Sequence, residues 1–139
     1  MKKVIDFLKE NVVATLATCS DNKPRASIVE YYMIDDAIIF GTDPDSLKAH
    51  NLNHNPRISM SVSAMPKFVT VDGVVVAPTK DEIESYTKLL FEFHPEFKEL
   101  MEKGMMGNSF VHFKIAPEIA YYNDFTNGMA PTEVINDIS

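Results

Sequence analysis

Hydrophobic and polar positions change period several times along this chain, and each change marks an element. Met1, Val4, Ile5 and Leu8 share one side of residues 2 to 10, opposite Lys3, Asp6, Lys9 and Glu10, which predicts a short amphipathic helix. Val12 to Thr18 is β-branched and apolar on both faces, as a buried strand is, and Ser20-Asp21-Asn22-Lys23-Pro24 turns the chain into a second strand from Arg25 to about Ile34. Asp35-Asp36 turns it again and Ala37 to Gly41 returns, so this part reads as an antiparallel meander. Ile58, Met60 and Val62 alternate with Ser59, Ser61 and Ser63, a strand with one core face and one small polar face. After a Met65-Pro66 turn, Lys67 to Ala77 is a fifth strand in which Asp72-Gly73 marks a bulge or a bend.

Thr79 and Glu82 form a capping box ahead of Ile83, Tyr86, Leu89, Leu90 and Phe93 at helical spacing. His94-Pro95 breaks that helix, and Phe97, Leu100 and Met101 continue a second short one to Gly104. Phe110 to Ile115 and Glu118 to Asn123, separated by Pro117, predict two closing strands, and the tail from Thr126 is weakly patterned. The sum is a mostly β fold, a six- to seven-stranded antiparallel barrel with peripheral helices, most aromatic and Met residues lying in its core.

Residues 41 to 57 join two of these strands through a short helix, and their chemistry reads in two ways. Thr42, Ser46 and Lys48 offer two hydroxyls and an ammonium around a helix start, where free N–H groups and the dipole favour an anion such as phosphate. Asp43 ahead of Pro44 is equally an ordinary N-cap with proline at the first helical position, and Asp43 and Asp45 bring charge that opposes phosphate.

Composition narrows the classes. At 139 residues and 45% hydrophobic, positions 1–139 suit one globular domain. A formal charge of −7, from 20 acidic against 13 basic side chains without a Lys/Arg cluster, argues against nucleic acid as a partner. The chain shows no basic-then-apolar leader and no apolar run of membrane-spanning length, and its single Cys19 forms no disulfide within the chain; a cytoplasmic protein with no membrane partner is expected. Cys19 ends an apolar strand, where inert packing is the first reading and a nucleophile the second.

Chemical motifs are few. His50 and His54 stand four apart on the short helix, but no third ligand follows in a metal pattern, so no metal site is expected. His112 shares the polar side of its strand with Phe110 and Lys114, and His94 sits at a helix break, neither beside a nucleophile. There is no Gly-x-Ser-x-Gly elbow, Walker loop or Gly-x-Gly-x-x-Gly fingerprint, and no catalytic residue is assigned.

The order of parts carries a resemblance. Val13-Ala14-Thr15-Leu16-Ala17-Thr18 is followed by Pro24-Arg25 and a strand; Ile38-Ile39-Phe40-Gly41-Thr42 runs into Ser46-Leu47-Lys48-Ala49-His50-Asn51-Leu52; and Asn55-Pro56-Arg57-Ile58-Ser59 opens the next strand. With these motifs the chain, over about residues 4 to 123, resembles the pyridoxamine 5'-phosphate oxidase-like superfamily of FMN-binding split β-barrels. The resemblance implies a homodimer with FMN at the subunit interface. It places Ser27, Ile28 and Val29 along the flavin ring and ribityl chain, Gly41, Thr42, Ser46, Leu47 and Lys48 at the phosphate, and Phe68 at a further cofactor contact. It also brings Tyr121 to Phe125 toward the partner's flavin, with packing on their own barrel as the competing role.

Departures qualify the match. Basic residues of the oxidase are replaced at Ser27, near Tyr32 and at Leu47, and its Trp and Arg-Leu-x-Pro ending has no counterpart in Val134-Ile135-Asn136-Asp137-Ile138-Ser139, so pyridoxamine phosphate oxidation is not expected. What the resemblance implies instead is an FMN-dependent oxidoreductase or electron carrier acting on a small-molecule or electron-transfer substrate. The alternatives are a binding or sensing module without flavin, or one that takes a deazaflavin or a haem, with His50, His54 or His112 as iron ligands.

Overall fold

The computed structural model describes residues 1–104 and 110–136. Helix α1 (Lys2–Lys9) is followed by strands β1 (Val13–Ser20), β2 (Lys23–Ile34) and β3 (Ala37–Thr42), helix α2 (Leu47–His54), and strands β4 (Arg57–Ala64) and β5 (Lys67–Val76). A helical pair, α3 (Lys80–Phe93) and α4 (Pro95–Glu102), leads to β6 (Val111–Asp124) and a short β7 (Glu133–Ile135). The strands form one antiparallel sheet in the order β3-β2-β1-β4-β5-β6-β7, and the pairing of β3 with β6 closes six of them into a barrel with β7 added outside. The final Asp137-Ile138-Ser139, part of the expected C-terminal departure, lies outside the described residues.

Local chemistry accounts for most boundaries. Asp21 and Asn22 both take positive φ, 52° and 60°, in the two-residue turn between β1 and β2, a geometry that short polar side chains tolerate. Thr79 and Glu82 make the reciprocal capping box that starts α3, and His94-Pro95 separates α3 from α4 because proline cannot continue a helix. The barrel is filled by Leu16, Tyr31, Ile38, Phe40, Met60, Val69, Val71 and Ile115, with Val4, Phe7 and Leu8 of α1 packed into the same cluster. A second cluster lies outside the barrel wall, where Tyr86 and Leu90 of α3 cover Tyr32 and Ile39.

Several expectations are corrected. β1 is not buried on both faces: Ala14, Leu16 and Thr18 point inward, while Val13 is 52% exposed and Thr15 and Ala17 are exposed with it. The α1 stripe includes Phe7, buried where Ile5 is only half-buried. Among the methionines Met60 is core, but Met65, Met101 and Met129 are exposed. Pro117 does not divide two strands, because β6 runs straight through it. The register slips there, with Asp72 opposite Ile119 and Gly73 opposite Pro117, so the residue lacking an N–H falls where the ladder is already interrupted.

Candidate functional site

A gap in the barrel wall is built into the pairing pattern. All of β2 from Lys23 to Glu30 pairs with β1, but β3 joins β2 only from Tyr31 onward: its pairing with β2 stops at Phe40, while Gly41 and Thr42 pair with β6 alone. The first half of β2 therefore has one edge without a strand partner. The Tyr31 amide donates to the Val12 carbonyl at 2.8 Å, so by alternation Val29 and Ser27 also aim their backbone groups at β1, leaving those of Ile28 and Glu30 on the open edge.

Across the gap stands the stretch from Gly41 to Lys48. Ser46 caps α2, its hydroxyl accepting from the Ala49 amide at 3.3 Å. Asp43 is therefore not the helix cap; its carboxylate accepts from the Asp45 amide at 2.8 Å and shapes the turn before the helix. The Lys48 ammonium donates to Thr42 Oγ1 at 3.2 Å, and Thr42 Oγ1 lies 3.3 Å from Ser46 Oγ. The three side chains thus converge on one point at a helix start, where a single anion can be met by a charge, two hydroxyls and free amides.

Helix α3 closes the far side. The Gly41 amide donates to the Tyr86 hydroxyl at 3.1 Å, and a side chain at Gly41 would press on Tyr86, His112 and Phe110. Burial pushes the Tyr86 phenol up to about 12, so it stays protonated, and its own proton meets no acceptor among the described residues. His94 Nε2 lies 2.7 Å from Glu30 Oε2, which also accepts from the Tyr32 hydroxyl at 3.0 Å.

These parts enclose a hollow of about 330 Å³ whose walls include Ile28, Thr42, Lys48, Tyr86, His94 and Phe97. A second hollow of about 390 Å³ lies on the outer face of the barrel, lined by Val13, Thr15, Ile28, Ser61, Ser63 and Phe68 among others. Ile28, 74% exposed, borders both, so the two hollows adjoin at β2. A larger hollow of about 650 Å³ beside α1 holds its charges in surface ion pairs, Lys2 with Asp6 and Lys9 with Asp36, and lacks converging donors.

The sequence-derived residues divide by position. Ile28, Val29, Gly41, Thr42 and Lys48 line the hollow at the gap; Ser46 supports Thr42 from the helix cap; and Phe68 lines the second hollow, 5.8 Å from the Phe125 ring. Ser27 shares its strand face with Val29 and Tyr31, and its hydroxyl is buried without a partner among the described residues. Leu47 is exposed on α2 and does not line the hollow. Tyr122 packs against the barrel interior, whereas Tyr121 faces Val134 of β7.

The His50 and His54 rings lie 4.4 Å apart on α2, tilted by 42°, and His54 Nδ1 is 2.8 Å from the His50 carbonyl. His112 packs edge-on against Tyr86, and burial lowers its affinity for a proton. Among the described residues no group of three or more His, Cys, Asp or Glu is placed to hold a metal, and no helix is long and apolar enough to cross a membrane. Glu30, Tyr86 and His94 escaped sequence reasoning as site residues. The alternation Ile28, Glu30, Tyr32 along β2 was the available signal for the first, whereas Tyr86 stood in an apolar stripe that reads as core.

Comparison with known proteins agrees with this fold. Residues 1–124 match the family model described as pyridoxamine 5'-phosphate oxidase. The chain is similar in structure to a haem-binding protein from Mycobacterium smegmatis, with a TM-score of 0.75 at 20% identity over 96% of this chain. It spans only 56% of that protein's length. It is also similar to an FAD-binding protein from Mesorhizobium loti (TM-score 0.70, 21% identity, 87% of this chain and 90% of that one) and to General Stress Protein 26 from Bacillus anthracis (0.68, 18%, and 97% of each). At these identities the likeness establishes the fold alone. No curated protein matches the chain.

Proposed function

The chain belongs to the pyridoxamine 5'-phosphate oxidase family, and from that membership we propose that it is an FMN-binding flavoprotein, an oxidoreductase or electron carrier of the cytoplasm. The observation that carries this reading is the open edge of β2 beside the converging Thr42, Ser46 and Lys48. Lys48 with the Thr42 and Ser46 hydroxyls would hold the phosphate. The free backbone groups at Ile28 and Glu30 would meet the polar edge of the ring system, and Ile28 with Phe68 would give it an apolar floor. When bound, the flavin supplies electron or hydride transfer. The residues of this chain bind it, orient it and exclude water, and no dedicated acid or base is required of them.

The donor set fits a phosphate, though with fewer cations than the resemblance calls for, since the basic residues are replaced at Ser27, near Tyr32 and at Leu47. Adding FMN to the purified protein should shift the visible flavin bands and quench flavin fluorescence. Unchanged spectra would refute the assignment. A Soret band on adding haem would instead favour the second reading, supported by the haem-binding neighbour.

The outer face of the barrel supports a homodimer in this proposal. Val13 and Ile28 project beside Thr15, Ala17, Ser61 and Thr70, side chains small enough to admit a second copy closely. Ile28→Arg is expected to convert the dimer to a monomer and to weaken FMN binding with it, checked by size exclusion with light scattering. An unshifted elution mass would place the interface elsewhere.

A further inference from the structure

The hollow at the gap is lined by four groups that can carry charge, and one of them changes its charge near neutral pH. Lys48 is the fixed cation, Glu30 and Asp43 are carboxylates, and His94, at the break between α3 and α4, is the fourth. The imidazole is held on both sides. Its Nε2 meets Glu30 of β2 at 2.7 Å, and its Nδ1 lies 3.3 Å from Glu96 of α4. Phe97 of α4 packs on the ring at 5.2 Å, Tyr32 of β2 shares the Glu30 oxygen, and Tyr86 of α3 lines the same hollow. Asp43 and Lys48 face it from the turn after β3 and from α2.

Charge counting makes the consequence concrete. With His94 protonated, the walls carry two positive and two negative charges; with His94 neutral, Glu30 and Asp43 stand against Lys48 alone. We propose that His94 sets the anion affinity of this site with pH, by cancelling the Glu30 carboxylate when a phosphate-bearing ligand binds beside Lys48. The inference rests on the phosphate part of the function proposed above and is independent of what the phosphate is attached to. The Glu30 hydrogen bond raises the proton affinity of His94, so the pair is complete on the acid side of the histidine range and is lost as pH rises through the raised value. By linkage, an anion that binds better to the protonated form must itself hold the proton on, by the same factor.

The test follows His94 by NMR titration in the full chain, alone, with inorganic phosphate and with FMN, alongside FMN and riboflavin fluorescence titrations from about pH 6 to about pH 9. Either anion should raise the His94 titration midpoint. FMN affinity should fall about tenfold toward the alkaline end, within the usual range of such couplings, while riboflavin, which lacks the phosphate, changes little. The second ionisation of the FMN phosphate, near pH 6, adds negative charge as pH rises and would by itself strengthen binding to Lys48, so it does not mimic the effect. Glu30→Gln should hold FMN tightly across the range, and His94→Gln weakly across it, with far-ultraviolet circular dichroism confirming that both variants fold. A His94 midpoint that neither anion moves, or FMN binding at the alkaline end as weak in Glu30→Gln as in the unsubstituted chain, overturns the proposal even if FMN binds. A midpoint raised by phosphate while FMN leaves no spectral trace upholds it and removes the flavin reading instead.

Discussion

Replacing Lys48 and Ser46 by alanine together is expected to weaken FMN binding about 100-fold and to leave riboflavin binding within about threefold. A hydrogen bond to a charged group contributes about 1.5–3 kcal/mol, and each 1.4 kcal/mol is a factor of ten, so losing the ammonium and one hydroxyl reaches that size. The ammonium now donates to Thr42 Oγ1 at 3.2 Å, which keeps it at the mouth of α2 instead of in open solvent. Because Ser46 also caps the helix, the double variant should lose about 1 kcal/mol of stability. The single variant Lys48→Ala separates the two effects, since it removes the charge and keeps the cap. Fluorescence titrations with FMN and riboflavin in parallel check the result. Equal weakening of both ligands would mean that the substitutions deform the groove and do not act on the phosphate.

The largest effect on stability is expected at Gly73. A Cβ there would lie 2.1 Å from the Ala116 carbonyl oxygen and 3.0 Å from Pro117 Cα, both backbone atoms that have no rotamer to escape into. Gly73→Ala must therefore push β5 away from β6 at the point where their register already slips. Overpacking of this kind costs about 3 kcal/mol or more when backbone has to move, enough to lower the melting temperature by about 10 °C for a chain of this size. A thermal melt followed by circular dichroism measures it. A shift of less than about 2 °C would mean that the bulge absorbs the methyl group.

What could be read in advance follows from where the chemistry is local. Turn residues, the Thr79 capping box and the His94-Pro95 break act within a few residues of themselves, and the structure places them as expected. The serine alternation of β4 also carries its own meaning, because the exposed Ser61 pairs across strands with Thr70 at 2.9 Å on the outer face. Other features are decided by distant partners. Val13 and Ala14 look alike as apolar strand residues, yet one faces out and the other in, and only the closed barrel says which. Pro117 reads as a strand breaker until Gly73, far away in sequence, supplies the slipped register that accommodates it. The stretch proposed to hold a phosphate was singled out through its resemblance to a family. Its opposite wall was not, because Glu30, Tyr86 and His94 come from β2, α3 and a helix junction and meet only after α3 has folded over the outer face of the barrel.

The double engagement of β6 has a consequence for how the chain comes to be folded. Val111 to Ile115 hold β3 on one side, while the strand from Lys114 to Asp124 runs along β5 on the other, so one late segment joins two edges that were made much earlier. As the chain emerges from a ribosome, β1 to β5 can assemble into a curved open sheet, but β3 and β5 remain as bare borders until residues past Val111 are free to arrive. Closure is thus a long-range event, of the kind that slows folding and prolongs the life of adhesive intermediates. The most vulnerable form of this protein is the one still waiting for its last stave, and a translation pause or a truncation ahead of β6 would do more harm than most substitutions in the finished barrel.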